Sequence, residues 1–194
     1  MKINAMTFLV RSIEDTETLA RSLARELPTR ILITLDGDLG AGKTTFVGAL
    51  AQALGVSEDV SSPTFTIHQH YLGADVRLSH LDVYRLESAE AFRSIGLESV
   101  WEDEEIVLLE WSRMIAEILP ESYLGIEINS LREKGSIDFS TSGPIVLEED
   151  LTPRIFTFIA HGEEIDSILE AWRKARHFPH DLLLEGNADE NLSI

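Results

Sequence analysis

Cysteine is absent from all 194 residues, which excludes disulfides, thiolate nucleophiles and cysteine zinc sites. Positive charge is scarce: 16 Lys and Arg stand against 34 Asp and Glu, for a formal net charge of −18 at pH 7. Affinity for a nucleic-acid backbone comes mainly from Lys and Arg displacing counterions, so strong direct nucleic-acid binding is not expected. Any link to RNA has to run through a partner. The acidic balance serves solubility, or attracts a basic partner surface. Long apolar runs are missing too: none approaches the roughly 18 residues that cross a bilayer, and MKINAMTFLVRSIEDTE turns acidic where a signal peptide places its cleavage site. A cytoplasmic protein with no membrane span is the expectation. No internal repeat and no low-complexity tract interrupts the chain.

Hydrophobic residues make up 44% of the chain, enough for a core, and the length suits one domain with a small appendage. Residues 7–10 read as a short strand, and Ser12 with Asp15 as a cap ahead of a helix carrying Leu19, Leu23 and Leu27. Pro28 closes that helix. Residues 30–36 (RILITLD) form a nearly continuous apolar run, as in a strand covered on both faces. After a glycine loop, Phe46, Leu50 and Ala53 stand at helical spacing and Gly55 stops the helix. Runs 64–72 and 76–84 read as a hairpin turning near Gly73, 88–93 as a short helix, and 102–105 as a solvated acidic connection. IVLLEW reads as a buried strand with Glu110 and Trp111 at its tip. LGIEIN, GSIDFS and RIFTFIA read as strands, and 163–176 as an amphipathic closing helix.

Alternation of strands and helices, followed by a cluster of strands, predicts an α/β, P-loop NTPase-like, three-layer fold: a mixed, mostly parallel central sheet with helices on both faces. Residues 1–176 are expected to form one domain with an insertion around 140–152, and 177–194 a loose tail.

Gly37-Asp38-Leu39-Gly40-Ala41-Gly42-Lys43-Thr44 matches G-x-x-x-x-G-K-[ST] at every fixed position, between an apolar strand and a helix. In such a loop the backbone N–H groups close around phosphate oxygens, Lys43 spans the β and γ positions, and the Thr44 hydroxyl ligates Mg²⁺. The helix N-terminus adds a positive dipole. ATP with Mg²⁺ is therefore the expected cofactor pair, the more so because no Asn-Lys-x-Asp guanine-reading tetrapeptide is present.

The metal and the attacking water need acids at strand ends. Glu110, behind four apolar residues, is the candidate for reaching Mg²⁺; the plain alternative is a surface carboxylate. Asp82, on one face with His80 and Tyr84 in HLDVYRL, is the candidate water-orienter; the plain alternative is an Asp held by Arg85 or solvent. His80 is expected to be a structural hydrogen-bonder. His68 and His70 share a strand face, but nothing near them in sequence completes a metal-ligand set, so a solvent-facing edge accounts for both. Residues 61–65 (SSPTF) have the character of a switch loop, and turn formation explains them equally well.

Taken in order and spacing, GDLGAGKTTF, SSPTFTIHQHY, HLDVYRL, the segment Ile95-Gly96-Leu97-Glu98 and VLLEW resemble the TsaE (YjeE) family of bacteria, over about residues 8–129. The resemblance implies an ATPase required for threonylcarbamoylation of adenosine 37 in tRNA, and the lack of an evident arginine finger implies low intrinsic activity. It implies action with the TsaB–TsaD complex, of which TsaD is the transferase. It further implies phosphate binding by the loop (Asp38, Leu39, Gly40, Ala41, Gly42, Lys43, Thr44, Thr45), Mg²⁺ at Thr44 and Glu110, and catalytic roles for Lys43, Asp82, Glu110 and the switch threonine Thr64. Trp111 is a motif residue that stacks on nucleotide or partner, or packs against the core. The chain is longer than the family pattern, in 135–153 and after 176. A small-molecule P-loop kinase is the rival enzyme, although no clustered Arg pair suited to a lid stands between Lys43 and Asn129; a non-catalytic nucleotide-dependent adaptor is the rival from another class.

Overall fold

A computed structural model of the chain describes residues 5–86, 88–101, 105–131 and 152–184. Seven strands, β1 (Ala5–Val10), β2 (Ile31–Asp36), β3 (His68–Leu72), β4 (Arg77–Asp82), β5 (Ile106–Glu110), β6 (Tyr123–Ser130) and β7 (Arg154–His161), form one sheet in the order β1-β7-β6-β2-β5-β4-β3. Its centre, β6-β2-β5-β4, is parallel, and antiparallel pairs lie at both sides. Every residue of β2 and β5 is buried, as their unbroken apolar runs require for strands covered on both faces. The expected α/β architecture, with a mixed sheet around a parallel centre, is the one observed.

Two cores flank the sheet. On one side α1 (Ile13–Ala24), α2 (Lys43–Ala53) and α4 (Glu163–Lys174) bury Leu19, Leu23, Phe46, Leu50, Leu169 and Trp172 against Phe8, Ile33, Leu108 and Phe158. On the other, α3 (Ala89–Ser94) and the 3-10 segments Glu98–Trp101 and Ser112–Ile118 cover Leu81, Val107 and Leu109. Ser12 caps α1 as its position suggests, its hydroxyl accepting from Asp15 N at 3.1 Å while Asp15 Oδ2 accepts from Arg11 N. In α2 the buried stripe is Phe46, Val47, Leu50 and Ala51; Ala53 faces solvent instead.

Four local expectations are corrected. The extended run from residue 64 starts only at His68, because Thr64 to Thr66 form a turn closed by Ile67 N donating to the Pro63 carbonyl. The acidic connection is not wholly solvated: Glu105 is buried and accepts a hydrogen bond from Ser79. Tyr84 lies beyond the end of β4 rather than on its face. The tail is not loose over 177–184, where Phe178 and Leu182 are buried and Leu9 N donates to the Leu182 carbonyl. The strand GSIDFS and residues 140–151 of the expected insertion lie outside the described residues.

Candidate nucleotide-binding site

Parallel register brings the acid-bearing strand ends together. Leu35 stands beside Glu110 and Asp82 beside Glu110 across adjacent strands, so the tips of β2, β4 and β5 share one edge. In open α/β sheets, ligands occupy the crevice outside those tips. The glycine loop joins β2 to α2 there. Gly42, at φ 105°, is the N-cap of α2 and no side chain caps the helix, leaving its first N–H groups available to an anion.

A cleft of about 360 Å³ opens at this edge. Leu39, Gly40, Gly42, Lys43, Thr44 and Thr45 line it from the loop, and Ser62, Thr64, Asp82, Tyr84, Glu110 and Trp111 from the sheet side. Asp38 and Ala41 do not line it. The Asp38 carbonyl instead accepts from Ala41 N at 3.1 Å, and the Ala41 side chain is buried beneath the loop.

The Lys43 ammonium donates to the carbonyls of Gly37 (2.8 Å) and Asp38 (3.0 Å) and sits 3.8 Å from the Trp111 ring centre. Burial pushes its pKa below the ordinary lysine value, and Glu110, Asp82, Asp36 and Asp38 pull it partly back. The burial penalty on this charge is one that an anionic ligand beside it relieves.

The Thr44 hydroxyl donates to Glu110 Oε1 at 2.8 Å, and His80 Nε2 stands 2.9 Å from the same oxygen. Asp82 Oδ2 accepts from Ser62 Oγ at 2.6 Å and from Thr64 Oγ1, while Oδ1 accepts from Tyr84 N at 3.0 Å. Neither Arg85 nor solvent holds Asp82; the hydroxyls of the 61–65 segment do. Arg85 lies over the Phe65 ring at 4.2 Å. Thr44 and Glu110 offer hard oxygen donors close together beside the loop, the donor chemistry that suits Mg²⁺.

Trp111 takes a left-handed conformation, φ 65°, with its ring beside the Lys43 ammonium and the Tyr84 ring, whose centre is 4.8 Å away. Asp36 sets this turn, accepting from Ser112 Oγ at 2.5 Å and from Arg113 N at 3.2 Å. Sequence reasoning passed over Asp36, Ser62 and the shaping role of Tyr84. A carboxylate directly ahead of the loop's first glycine was the available signal for Asp36; the other two become site residues only through folding.

His68 and His70 lie with ring centres 4.1 Å apart, tilted by 58°, and both reach Ser79 Oγ, which donates to Glu105. Burial, then the neighbouring His70, lowers the His68 pKa. Among the described residues no group of three or more His, Cys, Asp or Glu side chains is arranged to hold a metal ion.

The fold and loop define an α/β protein of the P-loop type. Residues 10–137 match the family model described as threonylcarbamoyl adenosine biosynthesis protein TsaE, and the chain belongs to the TsaE family. It is 40% identical over 115 residues to the tRNA threonylcarbamoyladenosine biosynthesis protein TsaE of Bacillus subtilis, covering 59% of this chain and 72% of that protein. The protein of the same name in Treponema pallidum is 38% identical over 128 residues, 66% of this chain and 94% of its own. The crystal structure of YdiB from Bacillus subtilis superposes with a TM-score of 0.70 at 28% identity, over 89% of this chain and 97% of that one. No helix among the described residues is long and apolar enough to cross a membrane.

Proposed function

We propose that this chain is a Mg²⁺-dependent ATPase of the cytoplasm, required for threonylcarbamoylation of tRNA adenosine and acting with a TsaB–TsaD complex. The carrying observation is the Thr44–Glu110 hydrogen bond at the foot of the glycine loop. It turns the hydroxyl proton toward the carboxylate and leaves the oxygen lone pairs toward the cleft, where a metal bound to phosphate would sit. Mg²⁺, when bound, neutralises charge that builds on the phosphate oxygens. Loop amides 39–45 and the α2 N-terminus bind the phosphates. Lys43 leaves the Gly37 and Asp38 carbonyls to reach them. Asp82, freed from Ser62 and Thr64, orients the attacking water and takes its proton, and Thr64 meets the γ-phosphate. Trp111 and Tyr84 form an aromatic wall beside them.

Intrinsic turnover is low in this reading, because no arginine lines the cleft among the described residues and an arginine finger contributes about 10³–10⁵ in rate. Incubation with Mg·ATP, alone and with TsaB–TsaD, followed by mass spectrometry of the nucleotides, tests the proposal. ADP and free phosphate support an ATPase. A phosphorylated metabolite would make it a kinase, and intact ATP in both arms an adaptor. Loss of threonylcarbamoyladenosine from the tRNA of depleted cells tests the pathway separately.

A further inference from the structure

His80 lies in the interior of the sheet, at 0% exposure, on β4, which β5 separates from β2 and its glycine loop. Its Nε2 is 2.9 Å from Glu110 Oε1, and its Nδ1 is buried with no hydrogen-bond partner. These facts decide which nitrogen carries the proton. A carboxylate oxygen accepts and does not donate, so Nε2 has to present an N–H to it. The ring is therefore an Nε2–H donor aimed at one carboxylate oxygen.

Glu110 Oε1 takes two hydrogen bonds, from His80 Nε2 and from the Thr44 hydroxyl at 2.8 Å. The pair leaves the carboxylate little rotational freedom, and β4–β5 pairing fixes the distance between the strands that carry His80 and Glu110, with His80 opposite Leu108. We propose that His80 is a positioning residue for Mg²⁺: its Nε2–H clamps the Glu110 carboxylate so that Glu110 in turn holds the Thr44 hydroxyl with its lone pairs facing the metal. His80 itself touches neither nucleotide nor metal. The inference rests on the Mg²⁺-ATP reading of the cleft. It adds a buried partner behind the carboxylate, of the kind whose loss costs about 10–100-fold in metal affinity.

The test is calorimetric titration of ATP into the full chain with Mg²⁺ and with EDTA, for wild type, His80→Leu, His80→Gln, Glu110→Ala and the His80→Leu/Glu110→Ala double variant. His80→Leu is expected to weaken Mg·ATP binding about tenfold and to leave metal-free ATP binding unchanged. His80→Gln, whose amide nitrogen reaches the Nε2 position, restores most of the loss. Adding His80→Leu to Glu110→Ala produces no further loss, because the clamp has nothing left to hold. Equal weakening with and without metal, additive losses in the double variant, or a His80→Gln as poor as His80→Leu would each overturn the inference. If His80→Leu does not fold, His80→Asn replaces it, its amide being too short to reach Oε1. If wild type binds no Mg·ATP at all, the proposed function fails. The metal-positioning role falls with it, whereas an Nδ1–H tautomer in the ¹⁵N shifts of the His80 ring, in a wild type that does bind Mg·ATP, refutes the clamp alone.

Discussion

Gly37 takes φ 150°, and a Cβ built there would stand 2.2 Å from the Ile128 carbonyl oxygen. The loop's first glycine is thus required by the neighbouring strand β6 as well as by the turn. Gly37→Ala is expected to push the loop away from β6 and to destabilise the fold by about 1–3 kcal/mol, the range for forced overpacking. Urea unfolding reads this directly, and an unchanged midpoint would show that the loop can shift without cost. The loop itself was legible because its chemistry demands particular residue types at fixed spacing. Lys43 and Thr44 stand at fixed positions of that pattern, and Asp82 and Glu110, expected as acids at strand ends, line the same cleft. Asp36 and Ser62 were not legible, since an acid at a strand end and a serine in a turn acquire a partner only when remote segments meet: Ser112 for Asp36, Asp82 for Ser62.

At the scale of elements, strands with unbroken apolar runs and helices with a 3.6-residue stripe were legible, because burial imposes that periodicity. The segment 64–67 was misread as strand because its composition suits one. Ile67 is held at φ 67°, a conformation a β-branched residue adopts only when its surroundings impose it. The end of the described chain was misread for the opposite reason: FPHDLLL has no periodicity, yet Phe178 packs 5.7 Å from Phe8 and 5.3 Å from Trp172 between ring centres. Leu184 N also donates to the Thr7 carbonyl at 2.8 Å, so this stretch covers the edge strand β1. Phe178→Ala is expected to cost about 3–5 kcal/mol, and thermal denaturation of that variant checks it; a shift of less than a degree would mean that the stretch is dispensable. On β6 and β7, Tyr123 and His161 are cross-strand partners whose rings stack 4.0 Å apart. Burial lowers the His161 pKa from 6.5. A lowered histidine pKa means that the unfolded chain binds the proton more readily. The His161 contribution is therefore complete above pH 6.5 and is lost as pH falls through the lower folded value. Thermal melts at pH 7.5 and 5.5 should show a smaller drop for His161→Gln than for wild type, and equal drops would remove His161 from the account.

Over the whole molecule, charge and apolar surface are distributed in a way that bears on partners. The net charge is −18, yet the mouth of the cleft carries Leu39 at 84% and Phe65 at 81% exposure, one on the glycine loop and one on the 61–65 segment. In the proposed function these are the two segments that meet the phosphates, so exposed apolar side chains on them would form a surface sensitive to the nucleotide in the cleft. Thr64 and Ser62 are tied to Asp82; a γ-phosphate that drew Thr64 away would move Phe65 with it. If TsaB–TsaD docks over this face, ATP favours one arrangement of Leu39 and Phe65 and ADP releases it, and linkage requires the partner to tighten ATP binding by the same factor. Association of the chain with TsaB–TsaD, measured by calorimetry in Mg·ATP, Mg·ADP and no nucleotide, should be tightest in ATP and weaker in ADP. Phe65→Ala should weaken the ATP-dependent complex by about tenfold or more, as expected of an exposed aromatic anchor, while leaving ATP affinity in the isolated chain unchanged. Equal affinities in the three nucleotide states would rule out gating even where hydrolysis is confirmed, and an unaffected Phe65→Ala would place the docking surface elsewhere.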